Sequence, residues 1–139
     1  MSGMTTFSNE KPNAFLNQAL SLCSQLLADI LIDIDTLGDF TPETEAFLTR
    51  QLQNVTSNIG KFVEVTSLVA KYLSGSRRQD VSEIRTSHVS LLSIMNAVSR
   101  AQKNSDLVAL EDLIKHDLKD NLTQWKIAFI PQTQKHLST

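Results

Sequence analysis

A repeat of apolar residues, spaced alternately three and four positions apart, runs through four stretches of this chain and constrains its fold more than any other feature. Such steps return to the same face of an α-helix, so each stretch predicts an amphipathic helix with one buried stripe. The first stripe is Leu16, Leu20, Cys23, Leu27, Ile30, Ile34 and Leu37, and the second is Leu48, Leu52, Val55, Ile59, Phe62, Thr66, Val69 and Leu73. The third is Val81, Ile84, His88, Leu91, Met95 and Val98, and the fourth is Leu107, Leu110, Ile114, Leu118, Trp125 and Phe129.

Helix-breaking and polar residues separate these four stretches. Pro12 precedes the first, Thr41 and Pro42 open the second, and the polar linker 74–79 ends it. Pro131 follows the fourth stripe and predicts its end. Because the connections are short and no alternating strand pattern occurs, the sequence predicts an all-α fold, an antiparallel up-down-up-down four-helix bundle.

The length of 139 residues suits a single domain. We expect the bundle to span 13–131, between a flexible N-terminal segment, 1–12, and a flexible C-terminal tail, 132–139. Met1 to Gly3 precede a second methionine and are typical of residues left by cloning.

Composition and charge argue against a nucleic-acid partner, membrane insertion and secretion. The formal net charge is −2, so no basic surface for nucleic acid is expected. Aspartates interrupt the apolar runs, which predicts no membrane span, and the start lacks the pattern of a secretory signal. The single cysteine, Cys23, lies on an apolar stripe and suits a reducing compartment. We therefore expect a cytoplasmic protein.

The most unusual polar placement is His88, which falls on the buried stripe of the third helix. It is a candidate polar core residue, held by one hydrogen bond, or a functional group partnered by Asp29 or Asp33 of the first helix. These two aspartates are one turn apart at the edge of their stripe, where carboxylates usually meet a cation from a neighbouring helix. Glu83 and His88 are five residues apart, a spacing that does not build the Glu-x-x-His metal site of helical bundles, so no metal or cofactor is expected.

A second histidine suggests a different activity. His116, Asp117, Leu118 and Lys119 partly resemble the phosphorylatable His-x-x-Lys-Gly of histidine phosphotransfer domains, which are also helical bundles. The resemblance implies that His116 would carry the phosphoryl group and that Lys119 would help to hold it. Asp120 stands where that motif has glycine.

More apolar residues are present than a narrow bundle seam requires. Such a surplus thickens the core or forms a surface for another helix, with anchors at i, i+3, i+4 and i+7. The candidate partner-binding residues are Phe15, Leu22, Leu26, Leu31, Val63, Leu68 and Trp125.

The segment from Leu91 to Lys126 resembles the C-terminal half of flagellin export chaperones of the FliS type. The residues that carry the resemblance are Met95, Asn96, Ala101, Asp106, Leu110, Glu111, Trp125 and Lys126. The resemblance implies a helical bundle that binds amphipathic helices of a secreted subunit along apolar grooves.

These observations predict a non-enzymatic protein that acts by protein-protein contact, as a chaperone or adaptor for an amphipathic helix of a client. Three alternatives stay open. They are phosphotransfer through His116, a small-ligand bundle with an internal pocket between His88 and Thr66, and self-association into a homodimer.

Overall fold

A computed structural model describes residues 2–76 and 82–138, with side chains for 14–75 and 82–134. All regular structure in these residues is helical, in four long segments. The helices are α1 (Ser2–Asp35), a short 3-10 helix (Pro42–Thr44), α2 (Glu45–Ser76), α3 (Ser82–Lys103), α4 (Leu107–Asp112), α5 (Lys119–Gln124) and α6 (Ile130–Ser138). Two π-helical turns, Leu113–Leu118 and Trp125–Phe129, join the last three into one C-terminal helix, 107–138.

The apolar stripes form the core, as their spacing predicts. Every described member of the first two stripes is buried except Leu37, which is half-buried and packs against the core. In the third stripe, His88 and Met95 are half-buried beside the buried Ile84, Leu91 and Val98. Residues buried at this spacing lie on one side of each helix, so all four helices face a common interior.

The π turns of the C-terminal helix follow from the spacing of its core residues. Leu110, Ile114, Leu118 and Leu122 are all buried and follow one another at steps of four. Four residues of an α-helix exceed one turn by about 40°, so this series would drift off the core. A π turn holds more residues and keeps the series on one face.

The second π turn changes the end of the predicted stripe. The sequence placed Phe129 on the stripe, but Phe129 is half-buried and Ile130 takes the core position, with 5% of its surface exposed. The wider turn Trp125–Phe129 advances the buried face by one residue.

Two helix ends lie beyond the predicted prolines. α1 begins at Ser2 and includes Pro12, and α6 continues through Pro131 to Ser138, so neither helix ends at its proline. The domain bounds of the bundle, 13–131, stay a prediction. Proline at 131 removes the N–H that the Ile127 carbonyl would accept, and Ile127 lies on the exposed side, where water can replace it. The flexibility of 1–12 and 132–139 stays a prediction.

Local contacts fix the connections between helices. After α1, the Gly38 N–H donates to Gln51 Oε1 of α2 at 3.0 Å. At the same end of the molecule, Asp106 caps the C-terminal helix by accepting from the Ala109 N–H, and Ser105 before it adopts φ of 50°. The predicted linker with Arg77 and Arg78 lies outside the described residues.

Candidate functional site

An apolar groove opens on the surface between α1 and α2. Its lining consists of Phe15 from α1 and of Leu68, Lys71, Tyr72 and Gly75 from α2, around a cavity of about 580 Å³. The rings of Phe15 and Tyr72 pack with their centroids 5.6 Å apart. Gly75 leaves this end open, since a Cβ there would meet no atom within 4 Å. The groove therefore presents aromatic and aliphatic surface to solvent.

Helical periodicity explains why these residues share one face. Leu68 and Tyr72 are one turn apart on α2, and Leu22 lies seven residues after Phe15 on α1, close to two full turns. The exposed fractions are 42% for Phe15, 46% for Leu22 and 54% for Leu68. Large apolar side chains are thus exposed together along the two helices, and not singly.

The remaining partner-binding candidates occupy other environments. Leu26, Leu31 and Val63 are half-buried and pack against the core. Trp125 is 2% exposed, so this candidate for partner binding lies in the core and offers no docking surface. Its position on the stripe turns the indole inward, where burial removes a large apolar surface from water.

The outer surface of α1 carries no charged side chain between residues 14 and 28. The exposed polar side chains of this stretch are amides and hydroxyls, and the next carboxylate along the helix is Asp29. Depletion of charged residues is typical of the centre of a protein-protein interface. This uncharged surface borders the apolar groove through Phe15.

His88 is half-buried and lies in an aromatic cluster at the edge of the core. Its imidazole is 5.2 Å from the Trp125 indole, which also packs edge-on to Phe62 and against Phe129 at centroid distances of 5.2 Å. His88 Nε2 meets Thr66 Oγ1 at 2.5 Å. Burial lowers the pKa of His88 below its ordinary value, because desolvation disfavours the charged imidazolium.

The orientation of the Thr66 hydroxyl determines which nitrogen of His88 carries the proton. Thr66 Oγ1 lies 2.9 Å from the Phe62 carbonyl oxygen, and a carbonyl can only accept. When the hydroxyl proton points to the Phe62 carbonyl, His88 Nε2 donates to Thr66; when it points to Nε2, the imidazole accepts and Nδ1 carries the ring proton. Both arrangements fit a neutral histidine that orders the core.

The other polar core candidates are not part of this cluster. Asp29 is exposed and Asp33 is half-buried on α1, and neither forms a hydrogen bond or ion pair with His88. The internal pocket suggested between His88 and Thr66 is closed by their direct contact and by the indole of Trp125. The partner of His88 is thus a threonine hydroxyl.

Two buried polar atoms near the cluster have no hydrogen-bond partner among the described residues. They are Trp125 Nε1 and Asn121 Oδ1, one turn apart on the C-terminal helix. Asn121 also lines a groove of about 520 Å³ between α3 and the C-terminal helix. Sequence reasoning missed Asn121, because an amide on the flank of a helix has the same pattern as a solvated surface residue.

Each residue of the proposed phosphotransfer pair lies beside a carboxylate. His116 is exposed and lies 3.7 Å from Asp112, one turn earlier. Lys119 instead binds Asp35 of α1, with Nζ 2.7 Å from Oδ1. The lysine that would hold phosphate is therefore already paired with a carboxylate, and acidic neighbours surround the imidazole.

The remaining features concern the thiol of Cys23, metal-ligating side chains and the hydropathy of α1. Burial raises the pKa of Cys23 to about 12, so the thiol is protonated and unreactive at neutral pH. Within the described residues, no group of three His, Cys, Asp or Glu side chains is placed to hold a metal ion. Also among these residues, Ala14–Asp35 of α1 has the length and hydropathy of a membrane span, a property shared by core helices of soluble bundles.

Comparisons of the chain with protein-family models, with curated proteins and with solved structures find no match.

Proposed function

We propose that this chain is a non-enzymatic helical-bundle protein that binds an amphipathic helix of a partner protein, as a chaperone or adaptor. The observation that carries the proposal is the groove between α1 and α2, where Phe15, Leu68 and Tyr72 expose adjoining apolar surface. A helix presenting apolar side chains at i, i+3, i+4 and i+7 can bury them between two such helices.

The surroundings of the groove support a protein partner. The neighbouring face of α1 is rich in amides and hydroxyls and uncharged from 14 to 28, which suits an interface whose centre must lose water. Burying Phe15, Leu68 and Tyr72 against a partner would remove their exposed apolar surface from water, the main favourable contribution to association. The resemblance of 91–126 to FliS-type chaperones points to the same class of function.

An antiparallel up-down-up-down arrangement belongs to this proposal. Phe15, near the start of α1, meets Tyr72, near the end of α2. Ser105, which precedes the C-terminal helix, donates to Glu45 at the start of α2 at 2.9 Å. Alternating helix directions with short connections account for both contacts, and they leave the α1/α2 face free of covering loops.

The test is a comparison of three purified proteins as bait in a lysate of the source organism, with bound proteins quantified by mass spectrometry. Leu68→Glu places a charge in the groove, whereas Val108→Glu changes another exposed apolar residue, 83% exposed, on the C-terminal helix. The proposal requires one partner at near-equal stoichiometry with the wild type and Val108→Glu, and its loss with Leu68→Glu. Equal recovery with both variants would contradict it, provided that circular dichroism finds all three folded.

A further inference from the structure

A second groove, between α2 and α3, adjoins the apolar groove and is basic. Its lining includes Lys71, Arg85 and His88, together with the small residues Ser67, Ser74 and Gly75, around a cavity of about 490 Å³. Lys71 and Gly75 line both this groove and the apolar groove. The two grooves therefore form one surface, with an apolar part and a cationic part on either side of Lys71.

The charge of this surface is uncompensated among the described residues. Neither groove is lined there by an acidic side chain, and the three ion pairs formed by described residues involve other cations. Glu83, two residues before Arg85, lines the separate groove between α3 and the C-terminal helix. His88 is neutral at physiological pH, so Lys71 and Arg85 supply the charge.

The positive charge beside the apolar groove differs in sign from the net charge of the chain. The chain has 15 acidic and 13 basic residues and a net charge of −2, yet the border of its apolar groove is cationic. Electrostatic complementarity selects partners and their orientation more than it adds affinity.

We infer that the partner helix is acidic along one edge, with apolar side chains bound between α1 and α2 and carboxylates facing Lys71 and Arg85. This inference rests on the proposed function and specifies the chemistry of the partner. A helix lying in the apolar groove has one edge over α2, and the side chains of that edge reach Lys71 first. Carboxylates there gain charge-assisted hydrogen bonds to lysine and arginine, whereas lysines in the same places would be repelled.

Two synthetic amphipathic peptides test the inference. Each has about 18 residues, or five helical turns, with identical apolar positions, and the polar positions are glutamate in one peptide and lysine in the other. Fluorescence anisotropy measures the binding of each labelled peptide to the wild type, to Lys71→Glu/Arg85→Glu and to Arg50→Glu/Lys126→Glu. The last variant has the same net charge as the second, with its changes at exposed cations elsewhere.

We expect the acidic peptide to bind the wild type and the control variant roughly tenfold more tightly than the basic peptide at low salt, with a preference that salt weakens. Lys71→Glu/Arg85→Glu should abolish or reverse the preference, and Leu68→Glu should weaken both peptides. Equal binding of the two peptides would overturn the inference and leave the apolar groove as a docking site. Failure of both to bind would contradict the proposed function as well.

An anionic lipid surface is the competing source of negative charge. Sedimentation with phosphatidylglycerol vesicles distinguishes it. If the surface binds lipid, the wild type sediments with the vesicles and Lys71→Glu/Arg85→Glu stays in the supernatant. That result would overturn the assignment to an acidic protein segment. We expect no sedimentation of either protein, because the cationic part contains only two described charges, fewer than a stable membrane-binding cluster needs.

Discussion

Replacement of Trp125 by alanine tests the packing on which the whole bundle depends. The indole is 98% buried and contacts three aromatic rings, those of Phe62, His88 and Phe129, each at a centroid distance of 5.2 Å. Truncating a buried tryptophan to alanine removes its transfer free energy and leaves a cavity, which together cost about 3 to 5 kcal/mol. Loss of the aromatic contacts places the expected value in the upper half of that range.

The companion variant Trp125→Phe separates packing from hydrogen bonding. Trp125 Nε1 has no partner among the described residues, so phenylalanine gives up no hydrogen bond and retains most ring contacts. We expect it to cost under about 2 kcal/mol. Urea unfolding followed by far-UV circular dichroism measures the free energy of unfolding of the wild type, Trp125→Ala and Trp125→Phe. Ile127→Ala changes a residue that is 62% exposed and serves as a surface control, with an expected loss near zero. A loss below about 1 kcal/mol for Trp125→Ala would refute the placement of the indole in the core.

Three other predictions concern single side chains. The pKa of His88 is lowered by burial, so below about pH 6.5 the unfolded state binds a proton that the folded state does not, and the free energy of unfolding should fall as pH decreases. Unfolding measured at several pH values should show a weaker dependence in His88→Leu, and an unchanged dependence would contradict the burial of this imidazole. Cys23, whose pKa is about 12, should react with a thiol reagent only at the rate of unfolding, and rapid modification of the native protein would contradict its burial. Lys119→Ala should cost less than about 1 kcal/mol, with the loss diminished by salt, because its ion pair with Asp35 is about half exposed.

Sequence periodicity predicted the helices and the core because both depend on short-range spacing. A stripe at steps of three and four has one face, and burial of that face is required whatever the partner helix is. The cap at Asp106 was predictable for the same reason, since a capping side chain binds a backbone N–H within its own turn. Each of these features is decided within a few residues of the chain.

The features that define the candidate site depend on how the helices lie against one another. The contact of Phe15 with Tyr72 joins residues 57 positions apart, and that of Lys119 with Asp35 joins residues 84 positions apart. Neither register is encoded in the period of a single helix. Phe15 and Leu68 were recognised as surplus apolar residues, but Tyr72 and Lys71 were missed because amphipathic side chains look like ordinary solvated ones.

Helix boundaries show a related limit. Pro131 predicts a helix end by its local chemistry, yet the C-terminal helix continues through it. Continued packing stabilises this end, since Ile130 and Thr133 are buried and the Thr133 hydroxyl donates to the Phe129 carbonyl at 2.8 Å. Tertiary contacts thus override a local signal for termination.

Site-specific photo-cross-linking tests the central claim most directly. A photoreactive phenylalanine replaces Tyr72 in the apolar groove or, as a control, Val108 on the C-terminal helix, and each protein is irradiated in a lysate of the source organism. We expect one dominant adduct with a different protein from position 72, mapped to a helical segment with acidic residues along one edge, and no such adduct from position 108. An adduct that contains only a second copy of this chain, or the same adducts from both positions, would contradict a groove for a client helix.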